Sequence, residues 1–313
     1  MTIVVFGAGA VGGFFGGLLA RAGRDVRFIA RGAQLAALRS GGIVIESALL
    51  GVIRVPGIRA TAHADEIGPV DLVLLCVKAQ QTAGVLDALA PLVAPATTIV
   101  TLQNGVESDD IVAERFGRDR VVPAVVYVGA TLERPGHISH VAAGTIALGV
   151  PAGVSRERVE RIREELAASG QPIQIAEDIQ RDRWRKLLWN AAFNTVSAVT
   201  ERDPGDLLRV PETRALLAAV MTEVVAVARA QGVALQSRDV DEQMAWTERA
   251  GAIRTSTTVD RQRGREMEID ALIGVVVRRG RQHGVPTPCS EVLLALLRAI
   301  DAHAQVETPK PLQ

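Results

Sequence analysis

The 313-residue sequence has no surplus of either charge, with 35 lysines and arginines against 35 aspartates and glutamates. Nucleic acid or an anionic membrane surface would call for a basic excess that is missing here. Cysteine is equally scarce. Cys76 and Cys289 stand far apart, with no CxxC pair and no metal-ligand spacing, so both read as ordinary reduced thiols and no metal site is expected. No apolar run approaches the roughly 20 residues of a membrane-spanning helix. The N-terminal stretch Ile3-Val4-Val5-Phe6 gives way to glycines too soon for a signal peptide. These absences leave a cytoplasmic protein whose partner is a small molecule. The length and a hydrophobic content of 48% are enough for two folded domains, each with its own core.

What the sequence does contain is a change of period along its length. Short β-branched runs alternate with longer helical segments: Ile3 to Phe6, a helix near Ala10 to Ala22, then Asp25 to Ile29. Leu72 to Val77, Thr98 to Leu102 and Val121 to Tyr127 read as further buried strands, with helices near Gln81 to Ala90 and Ser108 to Phe116 between them. Continuous apolar strands separated by helices predict a parallel, doubly wound sheet. His137 to Val150 reads as a less parallel continuation, followed by a charged helix from Arg156 to Ser169 and a last strand from Pro172 to Ala176. Beyond Asp178 the strand signal fades. Helical periods then cover Ile179 to Val199, Pro211 to Gln231, Asp239 to Ala250, Glu268 to His283 and a segment after Ser290. The expected class is α/β, with a Rossmann-type domain over residues 1–177 and an all-helical domain over 178–313. The apolar faces of that helical half can bury against their own core or against a second copy, which keeps a homodimer open.

Two sets of residues carry chemistry. Gly7-Ala8-Gly9-Ala10-Val11-Gly12 is a GxGxxG pattern lying between the first strand and the first helix, the context that gives this otherwise weak motif its force. Gly7 permits the tight turn, Gly9 lets the backbone approach a pyrophosphate and Gly12 lets the helix pack on the strand. The second strand ends Phe28-Ile29-Ala30-Arg31, with no carboxylate to bond ribose hydroxyls. A guanidinium there suits a 2′-phosphate, so NADP is favoured over NAD. Lys78 and Asn104 follow two further strands on the same sheet edge, where they can reach the adenylate phosphate and the nicotinamide ribose or a neighbouring substrate.

The second set is Lys186, Asn190 and Asn194, spaced i, i+4 and i+8 among Leu187, Leu188, Ala191, Ala192 and Phe193. On a helix the three polar heads share one face of an element otherwise suited to burial, and such a stripe needs a polar ligand.

With these residues in view, nearly the whole chain resembles the ketopantoate reductase (2-dehydropantoate 2-reductase) family. The matching marks are GAGAVGG from Gly7, Arg31, Lys78, LQNGV around Asn104, Lys-x-x-x-Asn-x-x-x-Asn from Lys186, Arg263-Gly264 before Glu268-Ile269-Asp270, and His283-Gly284-Val285-Pro286-Thr287-Pro288. The resemblance implies NADPH-dependent reduction of the ketone of a 2-oxo acid, with Lys186 as general acid and Glu268 setting the lysine and helping to bind substrate. It further implies that Asn190 and Asn194 donate to substrate oxygens, that Ser256 contacts the carboxylate and that Asn104 serves both cofactor and substrate. An ammonium answers the need of this chemistry, since hydride arriving at the carbonyl carbon leaves alkoxide charge to be stabilised and protonated.

The sequence departs from the family where members commonly read Ser-Ser-Met-Leu-Gln-Asp. Here Thr255-Ser256-Thr257-Thr258-Val259-Asp260 keeps only the serine and the aspartate. Asn194-Thr195 likewise replaces a common Asn-Pro. These changes put the substrate in question more than the chemistry, so a paralogue acting on another 2-oxo acid stays in view, as does a β-hydroxyacid dehydrogenase of similar architecture. A noncatalytic NADP sensor fits less well, because Lys186, Asn190, Asn194 and Glu268 are all present.

Overall fold

The structure, a computed structural model, describes residues 1–250 and 254–307. The chain divides into two compact units, Met1–Ile179 and Gln180–Gln313.

The first unit contains, in chain order, β1 (Thr2–Phe6), α1 (Ala10–Arg21), β2 (Asp25–Ile29), α2 (Gly32–Gly41), β3 (Ile43–Ser47), β4 (Gly51–Val55), β5 (Arg59–Thr61), β6 (Leu72–Leu75), α3 (Thr82–Leu89), β7 (Thr98–Thr101), α4 (Ser108–Phe116), β8 (Val121–Arg134), β9 (His137–Leu148), α5 (Arg156–Ala167) and β10 (Ile173–Ile175). The strands form one sheet in the order β4-β3-β9-β8-β7-β6-β1-β2-β5, with β10 paired to β9. Alternate residues of the apolar runs feed two separate cores. Ile3, Val5, Leu72 and Leu74 belong to one, and Val4, Phe6, Val73 and Leu75 to the other. Burial on both faces is why these strands read as unbroken apolar runs.

The expected parallel sheet is present from β8 to β5, but it is one part of a mixed sheet. The first three residues of β8 pair in parallel with β7, and from Ala124 onward β8 runs antiparallel to β9 with three register irregularities. Such shifts sharpen twist and curl the sheet. The β3–β4 hairpin, absent from the sequence reading, extends this curled half through the parallel β3–β9 pairing. Both cysteines are free and half-buried, and burial pushes the Cys76 thiol up, which keeps it inert at neutral pH.

The second unit is helical throughout its described residues: α6 (Ile179–Trp189), α7 (Thr195–Thr200), α8 (Pro204–Arg209), α9 (Pro211–Ala230), α10 (Ser237–Ala250), α11 (Ser256–Gln262), α12 (Val275–His283) and α13 (Pro288–Glu307). Two π-helical turns were not foreseen. One, Asn190–Asn194, joins α6 to α7, and the other, Asp270–Gly274, leads into α12. The segment read as one helix from Ile179 is therefore an α–π–α rod that ends where Glu201 turns left-handed at φ 56°. Pro204 and Pro211 open their helices in the first turn, where the missing N–H costs nothing. Among the described residues no helix is long and apolar enough to cross a membrane.

Charged side chains tie the helices together. The buried Asp239 accepts from Arg181 at 2.8 Å and from the Gln236 backbone amide at 2.8 Å, and lies 3.4 Å from Arg185. Glu223 of α9 holds the start of α13, accepting from the amides of Cys289 (2.8 Å) and Ser290 (2.9 Å) and from the Ser290 hydroxyl (2.6 Å). A carboxylate at a helix N-terminus meets both the orphan amides and the positive end of the helix dipole. Glu223→Ala strands these donors beside the fully buried Ser290, and urea unfolding is expected to show a loss of about 2–4 kcal/mol. A change under 0.5 kcal/mol would mean that water replaces the carboxylate without cost.

Candidate active site

In the first unit the strands β7, β6, β1 and β2 lie side by side and in parallel. Asn104, Lys78, the Gly7–Gly12 loop and Arg31 each follow the carboxyl end of one of them. With adjacent strands about 4.8 Å apart, the four groups span about 14 Å of one sheet edge. Gly7 has φ +104°, and a Cβ there would lie 2.8 Å from the Val77 amide nitrogen. A Cβ on Gly12 would lie 2.2 Å from the Gly7 carbonyl oxygen and 2.8 Å from a methyl of Val5. Both positions are therefore closed to any side chain. Gly9, the N-cap of α1, has open space around it instead, and the first turn of α1 carries no acidic residue. An anion is what such a bare helix start accepts.

Arg31 is exposed at the N-cap of α2, while Lys78 and Asn104 are half-buried. The sequence reading missed two glutamines in the same loops. Both polar atoms of the Gln80 side chain are buried with no partner, as is Oε1 of Gln103, whose Nε2 donates to Thr82 at 2.6 Å. Buried polar groups seldom stay unpaired, so these three atoms are hydrogen-bonding capacity that a polar ligand can take up. The glycine cradle, the bare helix start and the unspent amides fit a dinucleotide.

In the second unit Lys186 lies in the last turn of α6, and Asn190 and Asn194 open and close the π-turn. The π-turn aligns them. Four residues of α-helix turn through about 400° and four of π-helix through about 330°. The forward drift from Lys186 to Asn190 is thus undone from Asn190 to Asn194, which brings Asn194 back nearly above Lys186. Both asparagines are buried, and Oδ1 of Asn194 has no partner. Ser197, one turn further, is 1% exposed with its Oγ likewise unpaired. Only its i+3 spacing from Asn194 could have drawn notice in the sequence.

Burial lowers the Lys186 pKa from 10.5 to about 8, against the charge of Glu268, which raises it. Glu268 stands two residues before the second π-turn, and its carbonyl accepts from the Leu272 amide at 3.2 Å. The two π-turns pack against each other. Ser256 is exposed as the first residue of α11, which packs on the first π-turn and on α7. The unusual threonines around it have a local task. The Thr255 hydroxyl caps α11 by accepting from the Thr258 amide (3.3 Å) and shares a 2.8 Å bond with the Thr258 hydroxyl. Arg261 then clamps α11 to the end of α7, donating to the carbonyls of Ala198 and Val199 (the latter at 3.1 Å) and pairing with Glu201 at 3.0 Å. Lys186, Asn190, Asn194, Glu268 and Ser256 thus lie on segments that pack directly on one another. Among the described residues no group of three or more His, Cys, Asp or Glu side chains could hold a metal ion.

Residues 3–153 match the family model described as Ketopantoate reductase PanE/ApbA, and residues 178–301 match its C-terminal counterpart. The chain belongs to the ketopantoate reductase family. That makes it an oxidoreductase of a pyridine-nucleotide-dependent family. A 2-dehydropantoate 2-reductase of Mesorhizobium japonicum is 36% identical, over 96% of this chain and 98% of that one. The crystal structure of 2-dehydropantoate 2-reductase from Geobacter metallireducens superposes with a TM-score of 0.91 at 32% identity, covering 96% of this chain and 99% of that one. The fold extends to D-mandelate dehydrogenase, solved with NADH and anilino(oxo)acetate, at a TM-score of 0.89 and 22% identity, over 97% and 99% of the two chains.

Because Glu268 opposes the effect of burial on Lys186, Glu268→Gln is expected to move the lysine titration to a pH below about 8. The Cε chemical shift of Lys186 followed against pH reads this directly, and an unchanged midpoint would remove the carboxylate from the lysine's environment.

Proposed function

We propose that this protein reduces the ketone of 2-dehydropantoate to (R)-pantoate with NADPH, in the biosynthesis of pantothenate and coenzyme A, with Lys186 as the general acid. The observation that carries the reading is a lysine that shares one helix face with two buried asparagines, where burial draws its pKa down to about 8. A lysine at its ordinary value is a poor acid at neutral pH. At about 8 the group is still about 90% protonated at pH 7, yet yields its proton far more readily.

The dinucleotide, when bound, supplies the hydride that C2 of the substrate accepts. Every other task falls to the chain. The glycine loop, Gly7 to Gly12 with Ala8, Ala10 and Val11, cradles the pyrophosphate. Arg31 binds the 2′-phosphate, Lys78 the adenylate phosphate and Asn104 the nicotinamide ribose. The ammonium of Lys186 stabilises charge building on the ketone oxygen and then donates its proton to that oxygen. Glu268 favours the charged lysine, Asn190 and Asn194 donate to substrate oxygens without adding charge, and Ser256 meets the carboxylate. The 36% identity to a named 2-dehydropantoate 2-reductase over nearly the full length supports this choice of substrate. The threonine-rich start of α11 is the departure that makes other 2-oxo acids the comparison set.

The deciding assay follows NADPH oxidation with 2-dehydropantoate beside a panel of other 2-oxo acids. Turnover of 2-dehydropantoate well above the rest is expected, and activity confined to another acid would keep the mechanism while moving the substrate. Lys186→Ala should lower kcat by about two to four orders of magnitude while leaving NADPH affinity within about twofold. Unchanged turnover would take the lysine out of the reaction. Arg31→Ala is expected to weaken NADPH by tenfold or more and NADH little, in keeping with loss of a charge-assisted pair. Equal losses would sink the 2′-phosphate assignment.

A further inference from the structure

Gln34 lies in the first turn of α2, three residues after Arg31. Its Nε2 donates to the carbonyl of Ala8 in the glycine loop at 2.7 Å, and its Oε1 accepts from the amide of Gly136 in the β8–β9 turn at 2.9 Å. One half-buried amide therefore joins segments 26 and 102 residues away in sequence.

The two ends differ in firmness. Gly136 has a second tie: its carbonyl accepts from the Val44 amide of β3 at 2.8 Å, and a Cβ added at its φ of +76° would lie 3.2 Å from the Gly42 carbonyl oxygen, so the turn sits close against the end of α2. The Ala8–Gly9 peptide has little else to hold it. Gly9 has open space on its side-chain side and no side-chain cap, and glycine tolerates either orientation of the preceding peptide. In a trans peptide the carbonyl and the following N–H point in opposite directions. Holding the Ala8 carbonyl towards α2 thus holds the Gly9 N–H facing away from it. If that peptide turned over, a carbonyl oxygen would face the phosphates in place of a donor.

We propose that Gln34 is a positioning residue for the cofactor: it locks the Ala8–Gly9 peptide so that the Gly9 N–H is presented to the pyrophosphate, using the fixed β8–β9 turn as its anchor. The inference rests on the assignment of the glycine loop to NADPH. Because pyrophosphate is common to both dinucleotides, the lock serves NADPH and NADH alike, unlike Arg31.

Two variants separate the bonds. Gln34→Met keeps the size and loses both. Gln34→Glu can still accept from Gly136 but has no proton for Ala8. Dissociation constants measured by dinucleotide fluorescence are expected to rise tenfold or more in both variants, by the same factor for NADPH and NADH. In the cofactor-free protein the melting temperature should stay within about 2 °C. The KM for the 2-oxo acid and kcat at saturating cofactor should change by less than twofold. Unchanged affinities, a Gln34→Glu variant that binds like the unaltered protein, or a loss confined to NADPH would each overturn the proposal. An unaltered protein that binds neither dinucleotide would instead remove the cofactor assignment, and this inference with it.

Discussion

A partly desolvated cation, Lys186 on the last turn of α6, is the constraint to which the site in the helical unit answers. Taking the Lys186 pKa from 10.5 to about 8 costs the charged form about 3 kcal/mol. Below about pH 8 the folded and unfolded chains both hold the proton, and the fold bears the whole penalty. Between about 8 and 10.5 the folded chain releases the proton first, so stability rises across that window. At neutral pH the lysine is thus a net burden, offset by the burial of Leu187, Leu188, Ala191 and Phe193 along the same rod. A carboxylate at Glu268 limits the burden without cancelling it.

The two π-turns belong to the same arrangement. A π-turn gives up regular i→i+4 bonding and is uncommon for that reason. Here two of them pack on each other, one carrying Asn190 and Asn194 and the other following Glu268. The local effect is angular, since the widened turn keeps three polar side chains in one row where a straight α-helix would let them drift by about 40° every four residues. The clamp of Arg261 on the end of α7 and the threonine cap on α11 hold the neighbouring element in register with that row.

Much of this was legible in the sequence, for identifiable reasons. The strands β1, β6 and β7 were readable because both faces are buried, so their apolar runs are unbroken, and β2 because Val26, Phe28 and Ile29 follow the first helix at βαβ spacing. Gly7 and Gly12 were readable because the turn and the helix contact leave no room for a side chain. The hairpin of β3 and β4 was not, because short strands bounded by Gly42 and Gly51 look like loop punctuation and β3 finds its partner, β9, about 90 residues later. The π-turns left no mark, since Lys-x-x-x-Asn-x-x-x-Asn has the same spacing in either helix. Gln34 and Ser197 were invisible for a common reason. A lone glutamine or serine on a helix carries no signal until its distant neighbours, or their absence, are known.

The unpaired buried atoms sharpen the distinction between what stabilises this fold and what the fold is for. Gln80, Gln103, Asn194 and Ser197 each carry a buried polar atom without a partner, at a cost of about 1–3 kcal/mol apiece. Apolar residues of similar volume would remove that cost, and chains selected for stability alone would be expected to carry them. Arg27 and His137 also carry such an atom, elsewhere in the first unit, but these four group in two places. Gln80 and Gln103 sit in loops at the carboxyl edge of the sheet beside the glycine cradle, and Asn194 and Ser197 follow Lys186 along one rod. Their positions coincide with the bare helix start in one unit and the burdened lysine in the other. At each of these two places a polar ligand would relieve a cost that packing does not impose.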